Sequence, residues 1–181
     1  KSVIENSEKK NSVVYVTIRY FILLGLMFSL PIIYKIFTPL TIYPVIELLK
    51  LVFDKVLLYG NLIIINSISS IEIIPSCIAG SAYLLLLILN LSVPMNFKNR
   101  ILSITLSFLL LLILNIFRIF LLSILYMNNF LLFNITHKFF WYVLSIFFVV
   151  GIWFLVVKIF SIKEIPFYTD ILYLMNELNK K

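Results

Sequence analysis

Long apolar runs separated by short polar segments dominate the pattern along this chain. Crossing about 30 Å of hydrocarbon takes roughly 20 helical residues. Four runs reach that length, and they predict membrane-spanning helices at about residues 13–37, 77–96, 101–126 and 137–160. The runs lack the alternating ten-residue segments that are typical of barrel strands.

The segment between the first two predicted spans, residues 38–76, is more polar. In Tyr43–Tyr59 the charged residues recur every three or four positions, which predicts an amphipathic helix at the outer interface. An alternative makes 40–65 a fifth span, but four charges in one helix argue against it. Those charges are Glu47, Lys50, Asp54 and Lys55.

Two shorter segments also carry a pattern. Asn61–Ile74 alternates between apolar and polar residues, which predicts two short strands with a turn near Asn66–Ser70. After the fourth span, Tyr168–Leu178 predicts a short amphipathic helix on the cytoplasmic side.

Composition narrows the class of protein. The hydrophobic fraction is 62%, the charged fraction 13% and the mean hydropathy +1.11, values that exclude an ordinary soluble domain. The single cysteine excludes a disulfide within one chain. We therefore predict an all-α integral membrane protein of about four transmembrane helices, with an outer amphipathic helix and a short extracellular β-hairpin. Residues 1–181 form one transmembrane domain with its core at about 60–160.

The distribution of Lys and Arg predicts the orientation of the chain, because cytoplasmic loops carry an excess of both. Ten basic residues fall on one side of the four spans: Lys1, Lys9, Lys10, Arg19, Lys98, Arg100, Lys158, Lys163, Lys180 and Lys181. Four fall on the other: Lys35, Lys50, Lys55 and Lys138. A multi-pass plasma-membrane protein with both termini in the cytoplasm satisfies these counts.

Three polar residues stand out against this apolar background. Cys77 is the only cysteine, His137 is the only histidine, and Arg118 is the one charge well inside an apolar run. An Arg near the bilayer centre costs at least about 2.5 kcal/mol and is usually functional. With the predicted topology, all three lie in the outer half of the bundle.

This grouping predicts nucleophilic catalysis at the outer face. Cys77 follows Pro75 and Ser76, which predict a helix start there, and the positive end of a helix favours the thiolate. Cys77 would be the nucleophile and His137 the base. Arg118 would stabilise an oxyanion or the thiolate.

Three further residues are expected to support this site. Asn115, one turn before Arg118, would orient the guanidinium. Ser81 would face the same cleft, and Gly80 would let another helix or a substrate approach closely.

Two other interpretations remain open. One is a non-enzymatic membrane scaffold or channel subunit in which Arg118 is a structural charge, with Glu72 as its leading partner. The other is a thiol acyltransferase that uses Cys77 and His137 on a lipid thioester.

The pattern resembles the exosortase/archaeosortase family of membrane-embedded cysteine transpeptidases. The matching residues are the run Cys77-Ile-Ala-Gly80-Ser81 at a span start, Asn115-Ile-Phe-Arg118-Ile119 late in the next span, and His137 at the last. Arg118 follows Cys77 by 41 residues, and His137 follows Arg118 by 19. The resemblance covers about residues 60–160.

The resemblance implies both a reaction and its partners. Such proteins cut the C-terminal sorting signal of a surface protein, which consists of a short motif, a hydrophobic helix and a basic tail. They then pass the new carboxyl end to a lipid or another surface acceptor. No cofactor or metal is expected, and the net charge of +7 is spread over the cytoplasmic flanks without a stripe for nucleic acid.

Overall fold

Helices and one small antiparallel sheet make up the computed structural model, which describes residues 21–161 without 23, 67–68 and 94. A 3₁₀ turn, Leu26–Ser29, leads into helix α1, Leu30–Lys50, and the strands β1 (Val56–Tyr59), β2 (Leu62–Ile65) and β3 (Ser69–Glu72) follow. The later helices are α2 (Pro75–Ile78), α3 (Gly80–Ser92), α4 (Phe97–Met127), α5 (Phe133–Phe139) and α6 (Ser145–Ile159). A π-helical turn, Phe140–Leu144, joins the last two helices without a break.

Three helical stretches are long and apolar enough to cross a membrane: Leu26–Lys50, Phe97–Met127 and Phe133–Ile159. The last two cover the predicted helices at 101–126 and 137–160, apart from one terminal residue, and confirm them as long apolar helices. The described residues are therefore compatible with a membrane protein that has three spans, and four spans are not confirmed.

The first long apolar helix extends further along the chain than the sequence predicts. The helix continues through Pro39 and Pro44 to Lys50, so the prediction of a separate amphipathic helix at Tyr43–Tyr59 is wrong. Membrane helices tolerate proline because neighbouring groups satisfy the freed carbonyls. Two of the four charges that suggested a separate helix lie in the exposed last turn of α1, where Lys50 Nζ donates to Glu47 Oε1 at 2.8 Å, and the other two, Asp54 and Lys55, follow the helix.

The predicted span at 77–96 is wrong in its length and its continuity. Ala79 adopts a left-handed conformation, with φ of 59°, and separates the four residues of α2 from α3. Helix α3 has 13 residues and extends about 20 Å, too short for the hydrocarbon core.

Helix α3 runs beside only the first half of α4. Near its end, Arg100 donates to the carbonyl of Val93 at 3.0 Å. Just before its start, Asn115 donates to the carbonyl of Cys77 at 3.0 Å. The chain therefore enters α3 part-way along α4, and this explains why the helix can be short.

The sheet contains the predicted hairpin and one strand more. Strands β2 and β3 pair antiparallel within Asn61–Ile74, which confirms the two predicted strands. Strand β1 pairs with β2 on the other side, where the sequence predicts part of the amphipathic helix. Ile63 and Ile65 of β2 are fully buried and tie the sheet to the core.

Helices α1, α3 and α4 meet in an aromatic core. The ring of Tyr83 stacks on Phe37 with centroids 3.8 Å apart, and Phe108 meets both rings edge-on. The close approach expected at Gly80 is present, because a Cβ added there would lie 2.5 Å from Cε1 of Tyr34.

Two predictions lie outside the described residues. These are the first part of the span at 13–37 and the tail helix Tyr168–Leu178.

Candidate functional site

One cavity of about 280 Å³ brings the three unusual residues of the sequence together. Cys77, Arg118 and His137 all line it, although they come from three different helices. The rest of its lining is mostly apolar and consists of Ser70, Ile71, Glu72, Ile73, Ile74, Ile119, Leu122, Ser123, Tyr126, Phe133 and Trp141.

Cys77 meets α4 part-way along its length and not at its end. Arg118, to which the backbone of Cys77 is bonded, is nine residues before the end of α4 and thus about 13 Å from it along the helix axis. Arg118 therefore need not reach to the end of α4 to contact Cys77.

The local structure removes one reason for a reactive thiol. Pro75 is the first residue of α2, as expected, but α2 ends at Ile78 and α3 begins only at Gly80. The predicted long helix with Cys77 at its positive end is therefore absent, and a four-residue helix has a small dipole.

Arg118 is held by two neutral acceptors. Its Nη1 donates to Oγ of Ser145 at 2.9 Å, and its Nη2 donates to the carbonyl of Cys77 at 3.0 Å. The side chain is buried to 9% exposure. Among the described residues, no carboxylate forms an ion pair with it, so its charge can act on a group in the cavity.

Asn115 contacts the same backbone as Arg118 does. Its Nδ2 donates to the carbonyls of Cys77 at 3.0 Å and of Ile78 at 3.3 Å. These carbonyls lack helical partners because Ala79 interrupts the helix. The expectation that Asn115 orients the guanidinium is corrected: Asn115 and Arg118 share one acceptor and both hold the backbone at Cys77.

The π-helical turn places Ser145 against Arg118. Oγ of Ser145 accepts from Arg118 and donates to the carbonyl of Phe140, five residues earlier, at 3.0 Å. A π turn changes the direction in which later side chains point, and such turns are frequent at functional sites.

His137 lies within a row of aromatic rings. It stacks on Phe133 with centroids 5.7 Å apart and meets Trp141 edge-on at the same separation. Phe133 in turn contacts Tyr126 with centroids 5.4 Å apart. Spacings of four residues put Phe133, His137 and Trp141 on one helix face, and all three line the cavity.

The thiol and the imidazole share the cavity without a hydrogen bond between them. Cys77 contacts Arg118 through its backbone carbonyl, and His137 contacts only rings in the hydrogen-bond and aromatic networks described. Catalytic hydrogen bonds are often long in unliganded sites and tighten when substrate binds.

Two residues do not make the contacts expected of them. Ser81 is exposed and lies outside the cavity lining, so the expectation that it faces the cleft is corrected. Glu72 does line the cavity, yet it is exposed and forms no ion pair with Arg118.

Sequence reasoning missed two residues of this site. Ser145 is a polar residue inside an aromatic run, which is a signal that could have drawn attention to it. Trp141 reads as part of the interfacial aromatic belt, and only its four-residue spacing from His137 indicates the cavity wall.

The described residues contain no group of three or more His, Cys, Asp or Glu side chains that could hold a metal ion. Comparisons of the chain with family models, with curated proteins and with solved structures found no match.

Proposed function

We propose that this protein is a membrane-embedded cysteine transpeptidase of the exosortase/archaeosortase type. It would cleave the C-terminal sorting signal of a surface protein and transfer the new carboxyl end to a lipid or another surface acceptor. The observation that carries the proposal is the cavity shared by Cys77, Arg118 and His137, in which the arginine has no acidic partner among the described residues.

The proposed reaction has two steps. His137 takes the proton of the Cys77 thiol, the sulfur attacks the scissile carbonyl, and His137 returns the proton to the leaving amine. This leaves a thioester on Cys77. A hydroxyl or amine of the acceptor then gives its proton to His137 and attacks the thioester, and His137 returns that proton to the departing sulfur of Cys77, which restores the thiol.

Arg118 would stabilise the oxyanion that forms in both steps. A guanidinium without a carboxylate partner in a mostly apolar cavity interacts strongly with such a charge. Ser145 and the carbonyl of Cys77 hold it beside the nucleophile, so little reorganisation is needed during the reaction.

We also propose that the cavity faces the outside of the plasma membrane. The Lys and Arg asymmetry supports this orientation. A substrate anchored by its own helix would then present its cleavage motif at the depth of Cys77, with its basic tail in the cytoplasm.

Cys77→Ser in the native host tests the proposal. Membrane proteins that end in an apolar helix and a basic tail should keep that tail, as measured by mass spectrometry of their C-terminal peptides. Ser76→Ala is the matched control, because Ser76 is the exposed neighbour of Cys77 and lies outside the cavity lining. Normal processing in Cys77→Ser would contradict the proposal.

The contacts of Arg118 also favour a second candidate, a non-enzymatic scaffold. Arg118 and Asn115 satisfy backbone carbonyls at a break in an apolar helix, and such carbonyls need partners in a membrane. The scaffold predicts that Arg118→Ala prevents assembly while Cys77→Ser is silent. The transpeptidase predicts that Cys77→Ser alone abolishes processing in a fully assembled protein.

A further inference from the structure

Strand β3 is the edge of the sheet on the side of the cavity. The strand order is β1-β2-β3, so one side of β3 has no strand partner among the described residues. Edge strands present unpaired backbone N–H and C=O groups, and these can pair with another chain.

The register shows which groups of β3 point away from the sheet. The amide of Ile73 donates to the carbonyl of Asn61 at 2.9 Å, and the pairing Ile63↔Ile71 follows two residues along. In an antiparallel ladder, hydrogen-bonded pairs alternate with pairs that are not hydrogen-bonded. The backbone groups of Ser70 and Glu72 therefore point to the free edge.

The cavity runs along this edge. Ser70, Ile71, Glu72, Ile73 and Ile74 all line it. Successive side chains of a strand point to opposite faces, so a cavity on one face would contact alternate residues only. Contact with five successive residues indicates that the cavity follows the backbone, and Cys77 lies three residues after Ile74.

Helix α4 forms another part of the cavity lining, through Arg118, Leu122 and Tyr126. Unpaired backbone groups beside a mostly apolar cavity need a polar partner, which water or another backbone can supply. An extended peptide offers donors and acceptors at the two-residue spacing of Ser70 and Glu72.

The carboxylate of Glu72 favours a peptide that carries a basic residue. Glu72 is the only carboxylate among the residues that line the cavity, and it is exposed without an ion-pair partner among the described residues. A basic residue opposite it would be favoured.

We propose that the extended segment of the substrate just before its membrane helix binds as a fourth strand on β3, with a Lys or Arg beside Glu72. This inference rests on the proposed function and adds how the substrate is held. Pairing with Ser70 and Glu72 would guide the scissile carbonyl to Cys77, and specificity would come from backbone pairing together with one charge.

Peptide probes that alkylate Cys77 test the pairing in the full chain reconstituted in lipid vesicles. The probe is an acetylated five-residue peptide of alternating valine and lysine with a C-terminal chloromethyl ketone. The sulfur displaces chloride, and because Cys77 is the only cysteine, the intact-mass labelling that Cys77→Ser removes is the labelling at that thiol, while any remainder belongs to other groups such as His137. Two isomers are compared, with N-methyl groups at positions two and four or at three and five.

Methylation of one set should slow labelling about thirtyfold, because two hydrogen bonds worth about 1 kcal/mol each are lost. Methylation of the other set should leave the rate near that of the parent probe. Equal effects of the two isomers would overturn the proposal. Dimerisation through β3 would make labelling insensitive to methylation and dependent on protein concentration, which also overturns it.

Glu72→Lys tests the charge and leaves the backbone edge intact. This substitution should slow labelling by the valine–lysine probe about tenfold, an effect of about 1.4 kcal/mol. Labelling by the same probe with alanine in place of lysine should not change. Iodoacetamide labelling should stay constant in every case and serves as the measure of thiol reactivity. If one methylated isomer labels slowly and the other normally, while Cys77→Ser still processes surface proteins, the peptide site on β3 is supported and the transpeptidase is refuted. The two proposals can therefore fail separately.

Discussion

Two groups of polar side chains lie along the same helix, α4, and they differ in what surrounds them. Near its start, Ser103 and Ser107 are fully buried against Asn90 of α3. Asn90 donates to Ser107 at 3.2 Å and accepts from Ser103. Further along, Asn115 and Arg118 bond to backbone carbonyls, and Arg118 lines the cavity.

The difference follows from the backbone beside each group. Next to Asn90 both helices are regular, so the side chains bond to each other and to local carbonyls such as that of Leu86. Next to Arg118, Ala79 separates α2 from α3, and the carbonyls freed there accept hydrogen bonds from Asn115 and Arg118. A polar residue in an apolar bundle therefore indicates chemistry only where free backbone groups and open space accompany it.

The largest effect is expected from Arg118→Ala. Loss of one oxyanion donor costs about 10²- to 10³-fold in rate. Processing of the surface protein, measured per folded molecule in the membrane, should fall by that factor while the unfolding temperature changes much less. Arg118→Lys should restore little, because an ammonium cannot span both acceptors. Equal losses of folding and activity would favour the scaffold.

Replacing the same residue type in the two regions sharpens the comparison. Asn90→Ala should lower the free energy of unfolding by about 1–3 kcal/mol, since two interhelical hydrogen bonds are lost, and leave processing per folded molecule unchanged. Asn115→Ala should lower both, because the carbonyls of Cys77 and Ile78 lose a donor. Chemical denaturation in detergent and processing in cells measure the two quantities. A matching loss of processing in Asn90→Ala would mean that the regions are coupled.

Ser145→Ala should have a smaller effect on processing, about fivefold, because one hydrogen bond that positions Arg118 is lost. Ser145→Thr keeps the hydroxyl and should recover most of the rate. If both variants lose activity together with stability, the serine acts on the π-helical turn and not on the guanidinium. Unfolding temperature and processing rate, compared for the pair, decide between the two.

How much of this arrangement the sequence predicts depends on the range of the interactions. The long apolar runs identify α4 and Phe133–Ile159 because hydrophobic length is a local property. The alternation in Asn61–Ile74 likewise predicts two strands. The position of Cys77 beside Arg118 depends on how deep the chain lies before α3, which no local pattern records.

The errors also have physical causes. Pro39 and Pro44 suggest an end to a helix in water, whereas the structure continues through both. The charges at Glu47 and Lys50 suggest an interfacial helix. One exposed turn at the end of α1 is enough to place both side chains in a polar environment, where they pair with each other. Ser145 bonds to Arg118 across 27 positions of sequence, and only the three-dimensional fold brings these side chains together.

The smallest effect is expected for Ala79→Gly, at the residue that interrupts the helix beside Cys77. A left-handed conformation costs an L-residue about 1–2 kcal/mol, and glycine adopts it freely. Part of that gain is lost to the greater freedom of glycine in the unfolded chain, so Ala79→Gly should raise the unfolding temperature by only about 2 °C. Ala82→Gly, inside α3, is the matched control and should lower it, because glycine weakens a helix. Opposite signs would show that the break beside Cys77 is held against a local preference by the packing around it. Destabilisation by both would mean that Ala79 is helical, and the carbonyls of Cys77 and Ile78 would then have partners within the helix.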